Sequence, residues 1–117
     1  MKAVIEIAKR GSAVKAARRQ LASSARGAEP DFYLSFESAR SLLSELTPAR
    51  VEVLDTRRRI GPCSVYALAK SAERNYSNVH SDVGRLEQLG LIERTEEDAV
   101  FVPYETVEIH LPLAHVA

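Results

Sequence analysis

Apolar residues along this chain change their spacing several times, and each change marks an element. Residues 2–8 (KAVIEIA) are dense in β-branched side chains and predict a short strand. Gly11-Ser12 breaks it, and Ser12 can cap a helix to about Ala25. The apolar face of that helix (Val14, Ala17, Leu21, Ala25) is narrow, so it needs another chain or a body to pack on. Gly27-Ala28-Glu29-Pro30 reads as a linker. Beyond it, residues 32–36 (FYLSF) predict a strand, and residues 37–46 (ESARSLLSEL) a helix with Leu42, Leu43 and Leu46 inward. Thr47-Pro48 starts the next helix, since Thr caps and Pro suits the first helical position; it runs to Ile60 and stops at Gly61-Pro62.

The second half is more regular. Ser64 caps VYALAKSA, whose Val65, Leu68 and Ala69 share a face, and Glu73-Arg74-Asn75 forms a turn. From Tyr76 to Leu89 the residues Val79, Val83, Leu86 and Leu89 recur at spacings of four, three and three, and Gly90 ends the helix as a left-handed cap. Two strands, Leu91–Arg94 and Ala99–Val102, flank the polar tip Glu96-Glu97-Asp98. Residues 106–111 (TVEIHL) alternate, with Val107, Ile109 and Leu111 on one face. Helix, short helix, turn, longer helix and hairpin in that order are the winged helix-turn-helix arrangement. The expected fold class is α+β, mainly helical: a strand-helix arm over 1–30 suited to dimerisation, the winged domain over 31–113, and a tail over 114–117.

Composition narrows the function. The chain has 117 residues, 45% hydrophobic and 27% charged, enough for one modest core. A lone cysteine, Cys63, excludes an intramolecular disulfide. No apolar run is long enough to span a bilayer, and MKAVIEIAKRG lacks the apolar core of a signal peptide, so the expected location is the cytoplasm, away from membranes. Net charge is zero, but its distribution is not even. Residues 1–26 carry seven bases against Glu6, and residues 93–117 carry six acids against Arg94. That polarity suits an oriented partner or subunits packed basic end to acidic end, and equally two solvated surfaces of opposite sign.

With Val79, Val83, Leu86 and Leu89 inward, the 76–89 helix offers Tyr76, Ser77, Asn78, His80, Ser81 and Arg85 outward. Small and hydrogen-bonding side chains near a helix N-terminus are what entry into a DNA major groove requires; bulky apolar groups would be stranded against base edges. Asn can bond adenine, Arg guanine or phosphate, and Ser phosphate oxygens. Arg74 in the turn stands where a DNA backbone should pass, as does Lys70. The run SVYALAKSAERNYSNVHSDVGRLEQLGLIER (64–94), above all RLEQLGLIER (85–94), resembles the reading head of MarR-type winged-helix regulators. FESARSLLSELTPARVEVLDTRRRIGPCSVYALA and the ending VPYETVEIHLPL (102–113) are similar to a family of small DNA-binding proteins of bacteria and archaea, often encoded beside a small toxin-like gene. The resemblance implies a dimeric, sequence-specific regulator, an autorepressor and antitoxin with a toxin partner.

Other readings stand beside these. His80 either contacts a base or phosphate or is a surface histidine; Tyr76 either packs in the turn or stacks on the sugar-phosphate backbone. Arg57-Arg58-Arg59 is a solvated helix face or a phosphate-contacting patch, and Arg57 falls where an apolar residue is expected. Cys63 is a packed small residue or a redox sensor. The acidic tip departs from DNA-touching wings, which carry Arg or Lys, and suits a protein-binding module instead. His80, His110 and His115 have no Cys or carboxylate at metal-ligand spacing, so no metal or cofactor is expected. Without a Gly-rich phosphate loop or a nucleophile-base pair, no enzymatic role is expected either.

Overall fold

The computed structural model describes residues 1–7, 18, 21 and 30–113, and of 57–60 the backbone alone. In chain order the elements are β1 (Ala3–Ile7), β2 (Phe32–Phe36), α1 (Ala39–Glu45), α2 (Pro48–Ile60), α3 (Val65–Ala72), α4 (Tyr76–Gln88), β3 (Glu93–Arg94), β4 (Val100–Phe101) and β5 (Val107–His110). The fold is α+β. Contacts gather the chain into two units, Met1–Glu45 with Tyr104–Ala117, and Leu46–Pro103. Strand pairing across long sequence distances joins the two stretches of the first unit. The helix expected from Ser12 to Ala25 is described only at Arg18 and Leu21, both helical and exposed. The rest of that helix, residues 27–29 of the linker, the tail 114–117 with His115, and the side chains of Arg57, Arg58 and Arg59 lie outside the described residues.

The first unit is built on a parallel three-stranded sheet in the order β2-β1-β5. β1 is the middle strand: Ala3, Ile5 and Ile7 face Phe32, Leu34 and Phe36 on one side, and Ala3 and Ile5 face Val107 and Ile109 on the other. The strand expected over residues 2–8 is therefore not open for pairing with a second chain, because both edges of β1 are already paired. Its sequence gives the reason. Ala3, Val4 and Ile5 are consecutive and all buried, as a strand covered on both faces must be. α1 packs against β1 and β2. Ser38 caps α1 by accepting from the Ser41 amide at 3.1 Å. So short a helix buries one position, Leu42; Leu43 is 53% exposed, against the expectation that it points inward. Phe32 stacks on Tyr104, ring centroids 5.5 Å apart, and closes the sheet's end.

The second unit is a three-helix cluster with a hairpin. Thr47 caps α2, accepting from the Arg50 amide at 3.3 Å, and Ser64 caps α3, accepting from Ala67 at 3.1 Å. α2, α3 and α4 pack on one another through Val53, Leu54, Leu68, Val79, Val83 and Leu86, all buried. Gly90, at φ 83°, ends α4, and the Leu91 amide closes on the Leu86 carbonyl at 3.0 Å. The chain then runs into the antiparallel β3–β4 hairpin. Its tip returns through Asp98, a non-glycine residue at φ 64°. Cys63 bridges Val100 on the other side of β4, the two residues exchanging backbone hydrogen bonds of 3.3 and 2.8 Å. Three extended segments therefore lie side by side. Among the described residues no helix is long and apolar enough to cross a membrane.

Candidate nucleic-acid interface

α3 ends at Ala72, where Glu73 takes a left-handed conformation (φ 55°) and its amide turns back to the Ala69 and Lys70 carbonyls. Two residues later Asn75 opens α4, its side-chain oxygen accepting from the Ser77 and Asn78 amides at 2.9 and 3.3 Å. The turn between the helices is thus three residues, and its last one fixes where α4 starts. Asn75 was legible in the sequence only as a turn residue; an Asn immediately before a periodic helix is itself the cap signal.

With Val79, Val83 and Leu86 buried, the opposite face of α4 is open. Tyr76, Ser77, Asn78, His80 and Ser81 are all exposed on its first two turns. The structure therefore brings five of the seven expected site residues onto one surface. Tyr76 packs its ring against His80, centroids 5.7 Å apart and tilted by 36°, so these two aromatic groups form a shared edge to the surface. Arg85 follows one turn later, half-buried, with Nη1 donating to Gln88 Oε1 at 3.1 Å. Gly84 lies on the same open face, and a methyl group placed there would meet nothing within 4 Å. The donors and acceptors of this surface are hydroxyls, one amide and one imidazole, a set suited to hydrogen-bonded recognition.

Arg74 does not join them. Its Nη2 donates to Asp82 Oδ2 at 2.9 Å, and its Nη1 is buried with no hydrogen-bond partner. The same carboxylate accepts from Arg50 Nε through Oδ1 at 3.0 Å. Arg74 also lines a shallow dimple between α2 and α3 with Ala49, Glu52, Val53, Thr56, Leu68 and Ala72. The guanidinium expected to face outward from the turn is therefore turned into the unit. Asp82 was missed in the sequence. Its signal was positional: an acid three residues after Val79 and four before Leu86, on the flank of the buried stripe.

A second clamp holds the hairpin. Arg94 Nε donates to Glu87 Oε1 and Nη1 to Asp98 Oδ1, both at 2.9 Å, joining β3 to the end of α4 and to the tip. The hydrogen bond to Glu87, helped by that to Asp98, holds the Arg94 guanidinium above its ordinary value. Glu96 and Glu97 remain exposed at the tip, and Lys70 is exposed in the last turn of α3. Among the described residues no cluster of His, Cys, Asp or Glu has the makings of a metal site.

A family described as HVO_A0114 matches residues 45–109, more than half of the chain and all of the stretch from α2 through β4. No curated protein and no solved structure matches the chain significantly.

Proposed function

This chain belongs to the HVO_A0114 family, and from that premise we propose that its Leu46–Pro103 unit is a winged helix-turn-helix domain that reads double-stranded DNA as a transcriptional regulator. The observation that carries the reading is the open first half of α4, where Tyr76, Ser77, Asn78, His80 and Ser81 stand together on a helix whose other face is locked into the unit. Supporting it is the order of parts: α2, the extended segment at Cys63, α3, a three-residue turn, α4, then β3 and β4 with Cys63 alongside β4. In that arrangement α3 braces α4, α4 enters the major groove, and the hairpin is the wing. One domain reads only a half-site, so the functional species in this reading is a homodimer on a two-fold-related site.

Charge sets how such a domain would bind. Residues 46–103 hold eight Lys and Arg against nine Asp and Glu, so no large attraction to phosphate exists and base contacts must supply much of the discrimination. The acidic tip at Glu96 and Glu97 favours a second reading, a winged helix that docks on a basic protein surface such as a toxin partner. Titration of the protein against its own upstream duplex and a scrambled duplex, over a range of salt, separates the two. DNA readout predicts a preference for the upstream duplex that Asn78→Ala reduces by about 1–3 kcal/mol without unfolding the protein. Equal, salt-insensitive, negligible binding to both duplexes would rule it out.

A further inference from the structure

We propose that Asp82 is a positioning residue of the reading head: it withdraws Arg74 and Arg50 from phosphate and fixes how α4 is presented. The proposal rests on the DNA reading above. Each oxygen of the Asp82 carboxylate serves a different arginine, Oδ1 taking Arg50 Nε at 3.0 Å and Oδ2 taking Arg74 Nη2 at 2.9 Å. The three groups come from three segments: the first turn of α2, the turn before α4, and the middle of α4 itself. All three side chains are mostly covered, Asp82 at 14% exposure and the arginines at 20% and 25%. A planar guanidinium held at a carboxylate is a directional contact, and two of them on one carboxylate fix the rotation of α4 about its axis as well as its distance from α2.

The geometry has a consequence for recognition. An arginine one residue before the α4 cap would ordinarily supply a phosphate contact that is blind to sequence. Here Nη2 of that arginine is spent on Asp82 and Nη1 is buried. Asp82 therefore suppresses sequence-independent attraction at the mouth of the reading head and leaves discrimination to Ser77, Asn78, His80 and Ser81, whose direction it also sets.

Salt titration of operator and scrambled duplexes tests this with three variants. Asp82→Asn, folded by circular dichroism, should lower the operator-over-scrambled ratio by about tenfold. Its slope of log affinity against log salt should steepen by roughly 0.9 for each arginine released to phosphate. Asp82→Glu restores the charge and keeps the arginines paired, so the slope should return toward wild type, while the longer side chain shifts α4 against them and leaves the ratio reduced. Arg74→Gln keeps Asp82 and Arg50, and should leave the slope unchanged; it keeps the idea testable if Asp82→Asn does not fold. A slope flattened by about 0.9 in Arg74→Gln would mean that Arg74 already neutralises a phosphate, and would overturn the proposal. So would a folded Asp82→Asn with unchanged ratio and slope. If the wild type itself does not prefer its upstream duplex, the DNA reading fails and takes this proposal with it.

Discussion

The two units of this chain are held by different means. In the Met1–Glu45 and Tyr104–Ala117 unit, backbone pairing carries the structure: β1 is hydrogen-bonded on both edges and buried on both faces, and the charged groups near it sit half-exposed at the margin. In the Leu46–Pro103 unit the strands are two residues long, and side chains do the fixing. Thr47, Ser64 and Asn75 cap the helices, Asp82 gathers Arg50 and Arg74, and Arg94 gathers Glu87 and Asp98. A sheet tolerates changes to its exposed side chains because its bonds are in the backbone. A small helical cluster places each helix through particular side chains, so it can aim a surface, and it can lose that aim without unfolding.

Core substitutions break the comparison most severely. Val83 is fully buried on α4 among apolar neighbours. Val83→Asp puts an unpaired carboxylate there, and the expected loss of more than about 4 kcal/mol exceeds what a domain of this size can spare. Ile5→Ala, equally buried in the middle of β1, leaves a cavity and costs about 2–5 kcal/mol, which the backbone ladder partly survives. Thermal melts followed by amide NMR should show dispersed signals lost from residues 46–103 in Val83→Asp, and a lowered Tm with native dispersion in Ile5→Ala. Equal Tm values for the two variants would remove the distinction between the units.

What the sequence made legible follows the same division. Caps are local, so Thr47, Ser64 and Gly90 were readable from a few neighbours, and the spacing of Val79, Val83 and Leu86 gave the buried side of α4 directly. The boundaries of β2 and α2 agree with the pattern, and the outward set from Tyr76 to Ser81 is exposed as its spacing implied. The parallel sheet was not legible. Ala3 pairs with both Phe32 and Val107, and no local pattern announces a partner a hundred residues away. Asp82 was hidden for the same reason, since its arginines lie 32 and 8 residues distant. Arg74 looked outward because a charged turn residue usually is; a partner on the next helix reversed it.

Gly84 sharpens the comparison at the level of about 1 kcal/mol. It lies inside α4, where glycine costs roughly that much relative to alanine, and an added methyl meets nothing within 4 Å. Gly84→Ala should therefore raise stability by about 0.4–1 kcal/mol in a denaturant titration. The same face is the one proposed to meet DNA, so the methyl should weaken operator binding while it stabilises the fold. A variant that gains stability and keeps full affinity would place Gly84 outside the contact.

The smallest effect is expected at the sheet margin, where charges are present but do not position anything. Lys2 Nζ lies 3.1 Å from Glu108 Oε2, and His110 Nε2 lies 3.1 Å from Glu108 Oε1. Hydrogen bonds from His110 first and then Lys2 hold the Glu108 carboxyl below its ordinary 4.5, and Glu108 in turn holds the Lys2 amine above its ordinary 10.5. The signs follow from linkage. Glu108, with its folded value depressed, contributes stability that is present above 4.5 and is lost as pH falls through the depressed value. Lys2, with its folded value raised, contributes stability that is present below 10.5 and is lost as pH rises through the raised value. Both contributions are therefore whole at neutral pH. They remain small, because water and salt screen side chains this exposed. Glu108→Gln should lower the urea midpoint slightly at pH 7, less in high salt, and the gap from wild type should narrow only once the pH falls below 4.5. A gap that stays constant on acidification would show that Glu108 acts through packing in β5 rather than through its charge, and the margin of the sheet would then resemble the clamped helices of the other unit.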